Sequence, residues 1–195
     1  IGEPGVQVEV DRRLAKYVMP DGSPDIKVAL IQSLSLLDIA DQKITLPMLA
    51  TVFLAPLCET LRTASIEPSF LLWLHGQTGT QKSTLAALFL CHFGTFSPKG
   101  PPASFKDTAN SLERRTFDTK DSVLWVDDFH PSSSTIEARR MEQIAQAQLR
   151  GYGDRVGRGR MRADSSLRPD YPPRGLAIFT GEQLPDGHSS NSRML

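Results

Sequence analysis

Short apolar runs alternate along the chain with helix-like stretches, and this alternation predicts the elements of the fold. Apolar runs bounded by turn-forming or polar residues are typical of strands that are buried on both faces of a sheet. They lie at 70–74, 122–126 and 175–179. Helix-like stretches follow or separate them at 83–93, 107–117 and 136–150, with Asp107 or Asn110 as the expected cap of the second. Strands that alternate with helices predict an α/β fold with a parallel sheet flanked by helices.

The first third of the chain has a different pattern and predicts a mostly helical region over residues 1–65. Apolar residues at 26, 30, 34 and 37 form one helical stripe. Thr45 is placed to cap a second helix that carries Pro47 in its first turn and continues to about Thr63. We place a boundary after residue 65 and expect residues 66–195 to form the core of the second domain, incomplete at its carboxyl end.

The same region holds a candidate strand and the longest apolar stretch of the chain. Val6 to Val10 alternates apolar and polar residues, which predicts a short strand. The longest apolar stretch, Leu46 to Leu61, is interrupted by two prolines and a glutamate. It is too short and too broken to span a bilayer, so we expect a buried helix and no membrane partner.

Composition indicates a folded domain and conceals an uneven charge. The chain has 195 residues, of which 39% are hydrophobic and 23% charged, and its net charge is zero. Residues 1–148 hold 14 basic and 17 acidic residues, whereas residues 149–195 hold 8 basic and 5 acidic residues. All eight basic residues of the second part are arginines. The net charge of zero therefore does not exclude a nucleic-acid partner.

The two cysteines, Cys58 and Cys91, form no Cys-x-x-Cys pair, so a structural zinc site is not expected. A reducing cytoplasm fits this cysteine usage. Because the chain starts at isoleucine, we also expect it to be part of a longer protein.

A glycine-bearing segment between the first strand and the following helix is the most informative motif. A phosphate-binding loop has the pattern Gly, four residues, Gly-Lys-Ser/Thr, and here Gly76, Lys82 and Ser83 stand at the required spacing. Backbone N–H groups of such a loop bind phosphate oxygens, the lysine reaches the β- and γ-phosphates, and the serine hydroxyl ligates Mg²⁺. The residues expected to contact ATP are Gly76, Gln77, Thr78, Gly79, Thr80, Gln81, Lys82, Ser83 and Thr84.

One position of this loop departs from the pattern. Gln81 stands where the second glycine is usual, and a side chain there crowds the backbone beside the β-phosphate. This departure puts nucleotide affinity in question. The alternative is a strand–turn–helix in which the glycines only make the turn.

Acidic and hydroxyl side chains follow the other two strands. Asp127 and Asp128 end the run Val123 to Val126, 45 residues after Lys82, which is the Walker B pattern. We expect Asp127 to hold Mg²⁺ and Asp128, in place of the usual glutamate, to orient or deprotonate the attacking water. Thr180 ends the third strand and is the candidate sensor of the γ-phosphate or the water; alternatively, its hydroxyl only closes a turn.

The ordered set of motifs resembles the P-loop ATPase domains of primase–helicase proteins from phages, plasmids and integrated mobile elements. These domains are similar to AAA+ ATPases and superfamily 3 helicases. The resemblance covers about residues 45–195 and is carried by the segments 75–84, 107–113, 123–129, 150–162, 179–182 and 191–195. It implies a ring, usually a hexamer, that hydrolyses ATP, with a primase domain in the full-length chain. Arg193 matches the arginine that completes a neighbour's site; the alternative is an ordinary surface arginine.

Residues 150–174 hold seven arginines and three aspartates. The corresponding interval of superfamily 3 helicases carries a hairpin that grips single-stranded DNA. We expect contacts to nucleic-acid backbone, or to a neighbour's nucleotide, from Arg155, Arg158, Arg160 and Arg162. The alternative is a solvated basic loop or a region of salt bridges between subunits.

Three classes of function remain open on the sequence. The first is an ATP-driven motor on DNA, supported by the arginine segment and Arg193. The second is a nucleotide-dependent switch or assembly ATPase, and the third is a degenerate loop that serves structure; Gln81 and Asp128 favour these two. A small-molecule kinase fits the two-acid strand end less well.

Overall fold

Four parallel strands form the sheet at the centre of the fold. The computed structural model describes residues 9–19, 22, 25–131, 133–157, 159, 161, 164–166, 169–187 and 192–195. The strands are β1 (Leu72–His75), β2 (Ala103–Ser104), β3 (Val123–Phe129) and β4 (Leu176–Gly181). They lie in the order β1-β4-β3-β2, with β4 between β1 and β3. The predicted α/β fold with a parallel sheet is confirmed, and β2 is an addition of only two residues.

Six α-helices accompany the strands in the described part of the chain. They are α1 (Ile26–Ser35), α2 (Gln42–Leu54), α3 (Cys58–Thr63), α4 (Lys82–Leu90), α5 (Ala109–Asp118) and α6 (Thr135–Asp154). A single 3₁₀ turn, Ala55–Leu57, separates α2 from α3. Pro56 lies in this turn, and its missing N–H group explains the interruption of the helix.

Two predicted helix caps are wrong. Asp41, not Thr45, caps α2, because its carboxylate accepts the Lys43 N–H at 2.9 Å. Thr45 lies buried inside the helix, where its hydroxyl donates to the Leu37 carbonyl at 2.9 Å. Thr108 caps α5 by accepting the Ser111 N–H at 3.2 Å, in place of Asp107 or Asn110.

The core lies on both faces of the sheet, because successive strand residues point in opposite directions. Leu124 and Val126 pack on the face covered by α5 and α6, together with Leu112, Leu149 and Tyr152. Val123 and Trp125 pack on the other face, with Met48 and Val52 of α2 and with Phe89 of α4. The N-terminal helices therefore share a core with the sheet. The domain boundary at residue 65 stays a prediction.

Residues 42–63 are long and apolar enough, by length and composition alone, to cross a membrane, a criterion that core helices also meet. In the structure, one face of this segment is buried against β1 and α4 through Met48, Val52 and Cys58. Packing in the core thus partly explains why residues 42–63 are so apolar.

The segment 9–19 docks on the sheet rather than extending from it. The Tyr17 hydroxyl donates to the Val123 carbonyl at 2.8 Å, and the Arg115 guanidinium pairs with Asp11 at 3.0 Å. Gly94 contacts this segment so closely that a Cβ there would lie 1.9 Å from the Lys16 carbonyl oxygen. Most of the strand predicted at 6–10 lies outside the described residues.

Residues 193–195 extend the sheet on the β1 side. The Leu71 N–H donates to the Arg193 carbonyl at 3.3 Å, and the Leu195 N–H donates to the Leu71 carbonyl at 3.0 Å. Leu71 and Met194 form a parallel bridge. Residues 193–195 thus lie where a further parallel strand would pair with β1, at the edge of the sheet opposite β2.

Candidate functional site

Three strand ends meet at one edge of the sheet and form the candidate site. The carboxyl ends of parallel strands are the usual place for ligand sites in α/β folds. The loop 76–81 leaves β1, is tied to β4 by a hydrogen bond from the Gly76 N–H to the Gly181 carbonyl at 3.2 Å, and enters α4. A cavity of about 290 Å³ lies there, lined by Thr78, Gly79, Gln81, Lys82, Ser83, Thr84, Asp127, Asp128, Thr180, Gly181 and Glu182.

The Lys82 ammonium lies within the curve of this loop. It donates to the Gly76 carbonyl at 2.7 Å, to the Gln77 carbonyl at 2.9 Å and to the Thr80 hydroxyl at 3.3 Å. Lys82 is also the first residue of α4, where the free backbone N–H groups of the helix give positive potential. The Lys82 ammonium and the N-terminus of α4 together favour the binding of an anion at this position.

Gln81 adopts a left-handed backbone conformation, with φ 63° and ψ 19°. This conformation explains why glycine suits the position, because a Cβ is disfavoured there. The Gln81 side-chain carbonyl accepts a hydrogen bond from the Thr84 hydroxyl at 2.8 Å. Gly79, with φ 88°, takes the other left-handed position of the loop.

Ser83 and Asp127, the two predicted Mg²⁺ ligands, are in direct contact. The Ser83 hydroxyl donates to Asp127 Oδ1 at 2.9 Å, and the Thr180 hydroxyl donates to the same oxygen. Mg²⁺ binds oxygen ligands and takes one or two carboxylates alongside phosphates and water, so this donor set fits it. Within the described residues, no cluster of three or more His, Cys, Asp or Glu side chains offers a metal site of its own.

Thr180 is buried, and its hydroxyl is engaged by protein groups. It accepts a hydrogen bond from Trp125 Nε1 at 3.2 Å and donates to the Asp127 carboxylate. Its role as a sensor of the γ-phosphate or the water stays a prediction. In the structure Thr180 holds the carboxylate of Asp127 in place, while its residue still lines the cavity.

Asp128 is held by a lysine that the sequence analysis missed. Its backbone is left-handed, with φ 69°, and its carboxylate forms an ion pair with the Lys106 ammonium. This hydrogen bond raises the pKa of Lys106. Lys106 follows β2, which pairs with β3, so the pairing of these strands brings the two side chains together.

Glu182 is a second residue that lines the cavity and that the sequence analysis did not single out. Its carboxylate accepts a hydrogen bond from the Thr78 hydroxyl and contacts His130 Nδ1 at 2.9 Å. The Thr78 bond, followed by the nearby His130 and Lys82, lowers the pKa of Glu182. Glu182 thus links the loop after β1 to the residue after β3. The only sequence signal was an acid two residues beyond Thr180.

The structure does not bring Arg193 to the site of its own chain. Its guanidinium forms an ion pair with Asp154 at 2.9 Å. Its carbonyl accepts from Leu71, one residue before β1, whereas the candidate site lies at the other end of that strand. Any contact of Arg193 with a nucleotide would therefore be with the site of a neighbouring copy.

Arg155 does not face nucleic acid in this structure, which corrects its predicted role. Its side chain is 9% exposed, and its guanidinium donates to the Pro68 carbonyl at 2.7 Å and to the Gly175 carbonyl at 2.7 Å. These bonds tie the end of α6 to the segments that enter β1 and β4. Arg158, Arg160 and Arg162 lie outside the described residues.

Comparison with known proteins supports the fold only. No protein-family model matches the chain, and no curated protein matches it. The structure is similar to a solved structure of Cch of SCCmec type IV, an active helicase, with a TM-score of 0.56 and 17% sequence identity. The match covers 100% of this chain and 34% of that protein, so the chain spans about a third of its length. The α/β sheet with flanking helices is therefore shared with a helicase of a mobile element.

Proposed function

We propose that the chain is an ATP-binding and ATP-hydrolysing domain with a P-loop fold of AAA+ type, in a helicase-like protein of a mobile element or phage. The observation that carries this proposal is the contact between Ser83 and Asp127 at 2.9 Å, beside the Lys82 loop. A hydroxyl at the start of a helix and a carboxylate at the end of a neighbouring strand are what Mg²⁺–ATP requires.

Each side chain then has a distinct role toward ATP. The N–H groups of the loop and the Lys82 ammonium bind the β- and γ-phosphates, where negative charge increases during transfer. Ser83 and Asp127 would hold Mg²⁺, which neutralises phosphate charge when bound. Asp128 orients or deprotonates the attacking water, and Thr180 keeps the Asp127 carboxylate in position.

The wider setting follows from the same proposal. We infer a ring, of six copies by analogy with related ATPases, in which Arg193 of one copy reaches the nucleotide of the next once its pair with Asp154 opens. Arg158, Arg160 and Arg162 contact the phosphates of single-stranded DNA, in a cytoplasmic protein that also carries a primase domain. Their replacement by alanine should weaken DNA binding and reduce the dependence of affinity on salt. Unchanged binding would reject the assignment.

A nucleotide switch that does not translocate is the second candidate. Asp128 favours it, because this carboxylate is paired with Lys106 and its side chain is one methylene shorter than the usual glutamate. Both features slow hydrolysis without weakening nucleotide binding.

ATPase rates with and without single-stranded DNA test the proposal and separate its two forms. Lys82→Ala and Asp127→Ala should lower the rate by about a hundredfold or more. Lys99→Ala, which removes an exposed lysine outside the site, is the control and should keep the rate. Stimulation by DNA supports the motor, and a rate indifferent to DNA supports the switch. Full hydrolysis by Lys82→Ala would show that the site is wrongly assigned.

A further inference from the structure

The turn 104–107 carries Lys106 and is closed by the carboxylate of Asp107. The Ser104 N–H donates to Asp107 Oδ2 at 3.0 Å, and the Asp107 N–H donates to the Ser104 carbonyl at 3.0 Å. The Lys106 N–H donates to the Ser104 hydroxyl at 3.2 Å. The backbone on both sides of Lys106 is therefore fixed, and a carboxylate lies next to Lys106 in the sequence.

Two arginines neutralise the carboxylate of Asp107. Arg115 of α5 donates to Asp107 Oδ2 at 2.6 Å, and Arg13 donates to both carboxylate oxygens at 3.0 Å. The side chains of Arg115 and Asp107 are 9% and 15% exposed, so salt screens this pair less than a surface pair. The charge of Asp107 is thus balanced without Lys106, whose ammonium pairs with Asp128 instead.

The segment 9–19 holds Arg115 from the other side. Arg115 Nε and Nη2 both donate to Asp11 Oδ2 at 3.0 Å, while Nη1 is the atom that binds Asp107. Arg13 belongs to the same segment, and its backbone N–H donates to Asp11 Oδ1 at 2.8 Å. Asp11, Arg13, Asp107 and Arg115 therefore form one ionic cluster, called here the Arg115 cluster. It joins the segment 9–19 and α5 to the turn that carries Lys106.

We propose that Arg115 is a positioning residue of the ATP site, which keeps Lys106 on Asp128 by occupying Asp107. This inference rests on the proposed function, in which Asp128 acts on the attacking water. While Arg115 occupies Asp107, Lys106 holds Asp128 and hydrolysis is slow. When Asp107 loses its cation, Lys106 turns to this adjacent carboxylate and Asp128 is released to act on water. The segment 9–19, which binds Arg115, thereby sets the rate of hydrolysis without contacting the nucleotide.

Two variants remove a cation from Asp107. Arg13→Gln should keep the fold, because the side chain of Arg13 is 48% exposed, and it decides the test if Arg115→Gln does not fold. Each should raise kcat by about fivefold, the scale of one exposed ion pair. KM for ATP should not change, because neither arginine lines the cavity of the candidate site. Arg115→Lys keeps a cation beside Asp107 and should restore most of the wild-type rate.

The Lys106→Ala background separates positioning from a merely structural role. Asp128 has already lost its partner in this background, so Arg13→Gln and Arg115→Gln should not raise kcat further. A structural role would change kcat equally in both backgrounds, and this result would overturn the proposal. Arg114→Gln is the matched control, because Arg114 is 54% exposed on α5 and pairs with Asp118, outside the Arg115 cluster. It should keep the wild-type kcat.

The partner of Lys106 is measured in the protein without nucleotide, by the NMR scalar coupling across the hydrogen bond from Lys106 Nζ to a carboxyl carbon. We expect coupling to Asp128 in the wild type and in Arg114→Gln, and coupling to Asp107 in Arg13→Gln. Coupling to Asp128 that persists in Arg13→Gln overturns the proposal. A change of partner in a protein that does not hydrolyse ATP would contradict the proposed function and uphold the positioning of Lys106 by the cluster.

Discussion

Replacement of Gln81 by glycine and by alanine separates the backbone of the loop from the side chain it carries. Gln81 lies at φ 63°, a conformation that costs a residue with a Cβ about 1–2 kcal/mol. Glycine removes this cost, but it lowers the free energy of the unfolded chain by about 0.4–1 kcal/mol because it gives that chain more conformational entropy. It also removes the exposed hydrogen bond with the Thr84 hydroxyl at 2.8 Å, which contributes about 0.5 kcal/mol. The terms nearly cancel for glycine.

Alanine at position 81 keeps the strained backbone and loses the same hydrogen bond. We therefore expect the free energy of unfolding of Gln81→Gly to lie within about 1 kcal/mol of the wild-type value. It should exceed that of Gln81→Ala by about 0.5–1 kcal/mol. Urea unfolding of the three proteins in one buffer measures the difference. An alanine variant as stable as the glycine variant would show that residue 81 is not left-handed.

The same pair tests whether the Gln81 side chain crowds the phosphate position. Gln81 lines the cavity of the candidate site. Gln81→Gly should bind ATP about fivefold more tightly than the wild type, the equivalent of about 1 kcal/mol. Equal or weaker binding by the glycine variant, at unchanged stability, would refute the crowding argument.

Three further replacements address the residues around the site. Thr180→Val leaves the buried Trp125 N–H without its acceptor and should cost about 1–3 kcal/mol of unfolding free energy, whereas Thr180→Ser should restore most of it; equal urea midpoints for both would refute this. Arg155→Ala should lower the free energy of unfolding by about 2 kcal/mol and leave the salt dependence of DNA affinity unchanged. A weaker salt dependence in this variant would show that Arg155 does contact DNA. The depressed pKa of Glu182 means that its contact with Thr78 stabilises the fold above the ordinary glutamate pKa and is lost as pH falls below it. Glu182→Gln should therefore flatten the acid limb of a melting-temperature profile, and an unaltered limb would contradict the contact.

The strands and the loop were predictable because their signals are local. Apolar runs and the spacing of Gly76, Lys82 and Ser83 are read directly from consecutive residues, and the structure places the strands within three residues of the predicted bounds. The proximity of Ser83 and Asp127 was also predictable, since both motifs follow strands of one parallel sheet and the carboxyl ends of such strands meet at the same edge.

The partners of the acidic residues were not predictable from local pattern. Lys106 reaches Asp128 only because the two-residue strand β2 pairs with β3, and a strand of two residues leaves no periodic signal. Glu182 meets Thr78 across 104 residues of sequence. Arg155 was assigned from its basic neighbourhood, but its own left-handed backbone at the end of α6 turns the guanidinium back onto carbonyl groups.

Calorimetric titration of ATP in the presence of Mg²⁺ tests the central claim most directly. The wild type and Lys99→Ala should bind ATP, and Lys82→Ala should bind it at least about tenfold more weakly, because the ammonium within the loop is lost. Asp127→Asn should reduce the gain in affinity that Mg²⁺ provides. Equal binding by Lys82→Ala and the wild type, or no binding by the wild type, would contradict the account.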